Sequence, residues 1–196
     1  GESFEYAEFS PDGTMVIGSS FCGPAQIWQT EDGSAVGGPR GAGGLRRARF
    51  SPFGNWVVTG SHGNAVQVWD VKSGLPVGPP MTHPSVIESV AFSPDSNFLV
   101  TASANGQVLV WNPRTGVPVT DVPMRHAGSV KSIEFSPDGQ LILSASVDGT
   151  ARLWDALTGE PKGLPMHHAA ALATATFSPD GKRIAMQVMG RQPDRD

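Results

Sequence analysis

The tripeptide Phe-Ser-Pro recurs five times along this 196-residue chain, beginning at Phe9, Phe50, Phe92, Phe135 and Phe177. Successive copies lie 41, 42, 43 and 42 residues apart. A tryptophan follows each of the first four copies at a fixed offset of 19, giving Trp28, Trp69, Trp111 and Trp154. A fixed offset inside a variable period confines length changes to the connector after the tryptophan, so the Phe-to-Trp segment behaves as one rigid unit. A repeat of about 40 residues cannot bury its apolar side chains alone and must stack against its neighbours.

Within each copy the residues alternate between strand formers and turn formers. In the fourth, 130–135 is a β-type run ended by Ser136-Pro137-Asp138-Gly139, a strong turn signal. Residues 141–146 predict a second strand closed by Asp148-Gly149, a dipeptide favoured in tight hairpins, and 150–154 a third. The connectors carry prolines, among them Pro39, Pro76, Pro79, Pro80, Pro118, Pro123, Pro161 and Pro165. Proline cannot donate to a ladder, which predicts that any fourth strand is the exposed outer edge of its sheet. The inner strands are apolar on both faces, as in 108–111, and so must lie between other sheets. Four-stranded antiparallel sheets stacked by repetition make an all-β propeller.

Phe-Ser-Pro-Asp-Gly stands at 9–13, 135–139 and 177–181, and Trp-Asp at 69–70 and 154–155, with Trp-Asn at 111–112 and Trp-Gln at 28–29 as weaker copies. Motif, offset and period together resemble the WD40-repeat β-propeller family over about residues 4–189. The resemblance implies blades at about 4–41, 45–83, 87–126 and 130–168, a partial blade at 172–189 and a polar tail at 190–196. About four and a half blades describe an open arc with apolar ends. The expectation is a part of a larger propeller, or a chain completed by another copy of itself or by further blades.

WD40 blades are known for a tetrad of Asp, His, Ser/Thr and Trp. The resemblance implies a complete one in the fourth copy, from His126, Ser144, Asp148 and Trp154. Its chemistry is self-consistent: a buried indole N–H needs an acceptor, a hydroxyl supplies it while donating to imidazole, and a carboxylate fixes the imidazole tautomer. The third copy offers His83, Thr101, Asn105 and Trp111, with an amide in place of the carboxylate. The second keeps Thr59 and Trp69 but has Gly41 and Gly63 at the other positions, and the first keeps only Trp28, with Gly18 and Cys22. The fifth has His168, then Met186 and Gly190.

Ser144, His126 and Asp148 are also the residue types of a hydrolase triad, but the tetrad accounts for them together with the tryptophan that a triad does not need. His167 and His168 point to opposite faces of a strand and lack accompanying ligands, so no metal is expected. The Gly41-Ala42-Gly43-Gly44 stretch lacks the Lys-Ser/Thr of a phosphate loop. No cofactor is expected. The net charge of −4 gives no general attraction to nucleic acid or anionic membranes, and the single Cys22 gives no disulfide within the chain, so a cytoplasmic setting is expected.

The resemblance implies a protein-protein interaction scaffold without catalysis. Its docking surface would be the narrow propeller face, built from the loops leading into each inner strand and the turns before each third strand. On this chain those turns place Phe21, His62, Ala104 and Val147, and the loops include Arg46, Arg47, Ser85 and Ser129. Arg46, Arg47 and Arg49 read first as a solvated strand start and second as a small basic patch near the channel rim that grips an acidic partner segment, with nucleic acid a remote third because no aromatics interleave them, and Phe21 is the best single anchor candidate. An alternative is a regulatory module of a larger enzyme, because Thr-Gly-x-Pro connectors resemble bacterial WD40 arrays, some of which follow a Ser/Thr protein kinase domain. The chain itself carries no kinase Gly-rich loop, His-Arg-Asp or Asp-Phe-Gly.

Overall fold

Each Phe-Ser-Pro copy forms the inner hairpin of its own antiparallel sheet in the computed structural model, which describes residues 6–19, 25–38, 45–61, 63–120 and 124–190. The first sheet runs β1 (Tyr6–Phe9), β2 (Met15–Ser19), β3 (Gln26–Gln29), β4 (Ala35–Gly37). The second runs β5 (Leu45–Phe50), β6 (Trp56–Ser61), β7 (Ala65–Asp70), β8 (Met81–Thr82). The third comprises β9 (Ile87–Phe92), β10 (Leu99–Ser103), β11 (Gln107–Asn112), β12 (Val117–Pro118) and β13 (Met124–Arg125). The fourth is β14 (Val130–Phe135), β15 (Leu141–Ser146), β16 (Thr150–Asp155), β17 (Met166–His167), and the fifth is the pair β18 (Leu172–Phe177), β19 (Ile184–Val188). The described residues contain no helix.

The register repeats with the motif: Phe9 faces Val16, Phe50 faces Val57, Phe92 faces Leu99, Phe135 faces Ile142 and Phe177 faces Ile184. The motif serine sets it. Ser136 is buried and its N–H donates to Leu141 O, while its hydroxyl accepts from Leu141 N–H at 2.9 Å and donates to Asp138. Ser10, Ser93 and Ser178 hold their turns in the same way. The fourth turn residue needs a positive φ, which glycine adopts freely: Gly13, Gly54, Gly139 and Gly181 all do. In the third copy Ser96 takes that place at φ 59°, the one non-glycine residue so strained among the described residues.

The outer strands lie where the prolines predict, but they are fragments. In the third sheet β12 pairs one end of β11, through Trp111 and Pro118, and β13 pairs the other, through Val108 and Met124. In the second and fourth sheets an isolated bridge, Trp69 to Pro76 and Trp154 to Pro161, precedes the short β8 and β17. At each bridge the flanking residues make the ladder bonds, Val77 N–H to Val68 O and Lys162 N–H to Leu153 O, so the proline's missing N–H faces outward from the sheet.

Four apolar layers fill the spaces between the five sheets. The pleat divides each middle strand between two of them. Val57 packs with Ile17, Ile27 and Phe50 toward the first sheet, whereas Val58 packs with Leu99 and Trp111 toward the third. Val100 joins Ile142 and Trp154 between the third and fourth sheets, and Leu143 joins Leu172 and Ala175 between the fourth and fifth. Strand β19 lies at the end of this stack, where Met186 and Val188 are exposed.

Candidate functional site

The side-chain chemistry concentrates in the fourth sheet. His126 sits in the loop before β14, Ser144 on β15, Asp148 in the turn that follows and Trp154 on β16. Trp154 Nε1–H donates to Ser144 Oγ at 2.8 Å, and Ser144 Oγ lies 2.7 Å from His126 Nε2. His126 Nδ1 faces Asp148 Oδ2 at 3.1 Å. An indole is a donor only, so Ser144 accepts from it and donates its proton to Nε2, which leaves the imidazole proton on Nδ1 facing the carboxylate. Burial holds His126 below the usual imidazole range against the pull of Asp148, so the ring is neutral near pH 7.

Burial opposes the charge on Asp148, but hydrogen bonds from the Thr150 hydroxyl, the Thr150 and Ala127 N–H groups, and His126 outweigh it and bring its pKa down to about 2. Thr150 belongs to the same network, because its hydroxyl donates to Asp148 Oδ1 at 2.7 Å and its oxygen lies 3.0 Å from His126 Nδ1. The sequence reading missed it, although a threonine directly after Asp148-Gly149 is the available signal.

The third sheet departs from the sequence expectation at Asn105. Trp111 Nε1–H donates to Thr101 Oγ1 at 2.7 Å and Thr101 meets His83 Nε2 at 2.5 Å, as in the fourth. Asn105, however, does not complete the set. Its Oδ1 accepts from the Ser103 hydroxyl at 2.7 Å and from Gln107 N–H at 3.2 Å, and His83 Nδ1 is buried without a partner. A carboxylate has a second acceptor oxygen to spare for the histidine, whereas an amide has one, and the local turn takes it. Burial alone lowers the His83 pKa to about 4.

In the second sheet Trp69 Nε1–H still donates to Thr59 Oγ1 at 2.7 Å. Trp28 is half-buried, whereas Trp69, Trp111 and Trp154 are buried. His168 is exposed and its Nδ1 accepts from Ala170 N–H. Ser144 is fully buried with an indole and an imidazole on its oxygen, so no substrate can reach it as a nucleophile. Among the described residues no three metal-ligating side chains converge, and no helix is long and apolar enough to cross a membrane.

Residues 38–70, 77–112 and 119–155, just over half of the chain, match the family model described as WD domain, G-beta repeat. The chain belongs to the WD40-repeat family. No curated protein matches it. The three WD40 matches end on the tryptophan motifs of the second, third and fourth copies, those that retain the Thr or Ser acceptor. WD40 repeats are generally protein-interaction scaffolds and typically non-catalytic.

On the expected WD40 docking face, Phe21, Cys22 and His62 lie outside the described residues. Arg46 and Arg47 belong to β5, but their side chains also lie outside what is described. Ala104 and Val147 are half-buried in the turns before β11 and β16. Ala104 N–H donates to Val86 O at 2.8 Å and Val147 N–H to Ser129 O at 2.9 Å, so turn and loop are joined on one face in both sheets. Val86 is exposed beside Ser85 on that face.

Proposed function

We propose that this WD40 array is a non-catalytic, cytoplasmic scaffold that docks a protein or peptide on the face carrying the turns of Ala104 and Val147. The observation that carries this reading is the double use of Asp148. Its carboxylate holds His126 in the blade and also accepts from Ala127 N–H in the loop leading into β14. The buried tetrad therefore fixes the loops of the face above it, and a surface already ordered loses less conformational entropy on binding. Phe21, Arg46, Arg47 and His62 complete the candidate surface as its aromatic and basic members. The exposed Met186 and Val188 of β19 support a further reading, in which another copy of the chain or additional blades cover that end.

The test uses a partner isolated with the intact chain. Substituting Phe21→Ala, Arg46→Ala, Arg47→Ala and Val147→Glu is expected to abolish binding while the unfolding midpoint stays near that of the parent. Substitutions in the Ser-Pro turns of the opposite face, such as Asp138→Ala, are expected to leave that partner bound. Unchanged affinity in the first set would place the partner elsewhere.

A further inference from the structure

Strand β19 has an open edge where its counterpart in every other sheet has a partner. Strands β2, β6, β10 and β15 each lie between two others, whereas β19 pairs only β18 among the described residues. The bonds from Ser178 N–H to Arg183 O and from Met189 N–H to Ala171 O repeat those of the fourth sheet, Ser136 to Leu141 and Val147 to Ser129. Alternation along an antiparallel strand then turns the N–H and C=O groups of Ile184, Met186 and Val188 outward. In β15 the equivalent Ile142 and Ser144 pair there with Trp154 and Arg152 of β16. Prolines stand at the outer edges of the second, third and fourth sheets, where they discourage further pairing, but Ile184–Val188 holds no proline and no charge.

The packing shows what that edge lacks. Between the second and third sheets Trp111 packs with Val68 and Met81, and between the third and fourth Trp154 packs with Val110 and Met124. The valines and methionines so covered are buried. Leu153 and Met166 hold the same positions against the fifth sheet, where no tryptophan arrives, and both are only half-buried. Met186 and Val188 are exposed as well.

The chemistry of an occupant follows from the same register. Thr59, Thr101 and Ser144 accept an indole N–H, but Met186 stands in their place and a thioether is a weak acceptor, which favours phenylalanine over tryptophan. Beyond the tryptophan, Asp70 faces Trp56 and Asp155 faces Leu141. Arg183 takes that position in β19, exposed like Lys182, and neither forms an ion pair among the described residues.

We propose that β19 receives an antiparallel strand from another polypeptide, with large apolar side chains at alternate positions and an acidic residue after the last of them. This rests on the reading that the β19 end is covered, and it names the cover as one strand. A second copy cannot supply it through its own β19. Antiparallel pairing sets paired side chains on the same face, so the fourth sheet of the copy would occupy the space of β16.

The probe is acetyl-Val-Thr-Val-Thr-Phe-Asp-amide, titrated into the intact 15N-labelled chain. It is expected to slow hydrogen exchange at the Ile184 and Met186 amides, and methylation of its Phe nitrogen should weaken it by about tenfold. A Lys in place of its Asp should weaken it by about fivefold, and Arg183→Glu should reverse that order. Met186→Thr should favour a Trp counterpart over the Phe peptide by about threefold relative to the parent. No protection at millimolar peptide, equal binding of the methylated peptide, or an unchanged charge preference in Arg183→Glu would overturn the proposal. Light scattering that shows self-association lost in Met186→Lys would also overturn it, while keeping the reading of a covered end. The combined Phe21→Ala, Arg46→Ala and Arg47→Ala variant should bind the peptide like the parent, which separates this site from the docking face.

Discussion

Ser144 satisfies two buried groups at once, and its removal orphans both. Ser144→Ala leaves the Trp154 indole N–H and His126 Nε2 without partners, at about 1–3 kcal/mol each, so a loss of about 2–6 kcal/mol is expected in urea unfolding. Thr59→Ala orphans only the Trp69 indole among the described residues and should cost about half as much. Asn105→Asp runs the other way. It adds a second acceptor oxygen and a negative charge near His83 Nδ1, which is buried and unpartnered. The expected result is a gain of about 1 kcal/mol and an upward move of the His83 titration from about 4, read by NMR. A loss of stability with no movement of the titration would mean that the turn of Ser103 and Gln107 still holds both oxygens.

At the scale of strands, protection should follow how many faces are covered. Strand β15 is covered on both, by Val100 and Trp154 against Ile142 and by Leu172 and Ala175 against Leu143. Strand β4 is exposed throughout, and β19 is exposed from Ala185 to Val188. Hydrogen exchange should therefore be slowest in β10 and β15 and fastest in β4 and β19; comparable rates would contradict the layered core. The inner three strands were legible in the sequence because serine, proline, glycine and tryptophan recur at fixed offsets. The outer strand was legible only as a place, since a proline marks an outward-facing edge position without fixing how far the pairing runs on either side of it. Asn105 misled because side-chain size does not reveal which donor claims a lone acceptor oxygen. Thr150 was missed although it bonds Asp148 only two residues before it, whereas the carboxylates of Glu8 and Glu134, which accept from the Phe50 and Phe177 N–H groups, were missed because those partners stand 42 and 43 residues away and meet them only after folding.

For the molecule as a whole, these buried groups impose a direction on acid unfolding. His83 has a folded pKa of about 4 against about 6.5 in the unfolded chain, and burial moves His126 the same way. Between the folded and unfolded values the unfolded chain binds more protons, so stability rises with pH across that window and is lost as pH falls from about 6.5 toward 4. Each histidine contributes a slope approaching about 1.4 kcal/mol per pH unit where it is neutral folded and charged unfolded. Asp148 acts lower. Its folded pKa of about 2 lies below the ordinary 3.8, so its contribution is present above 3.8 and is lost as pH falls from there to about 2. The turn aspartates Asp12, Asp95, Asp138 and Asp180 are also shifted down and reinforce that second limb. Urea midpoints should hold level above pH 7, fall between 6.5 and 4, and fall again below 4. Asn105→Asp should flatten the first limb, because a carboxylate beside His83 brings its folded pKa back toward the unfolded value. A first limb that is absent in the parent, or unchanged in Asn105→Asp, would mean that His83 titrates in contact with water rather than in the buried blade.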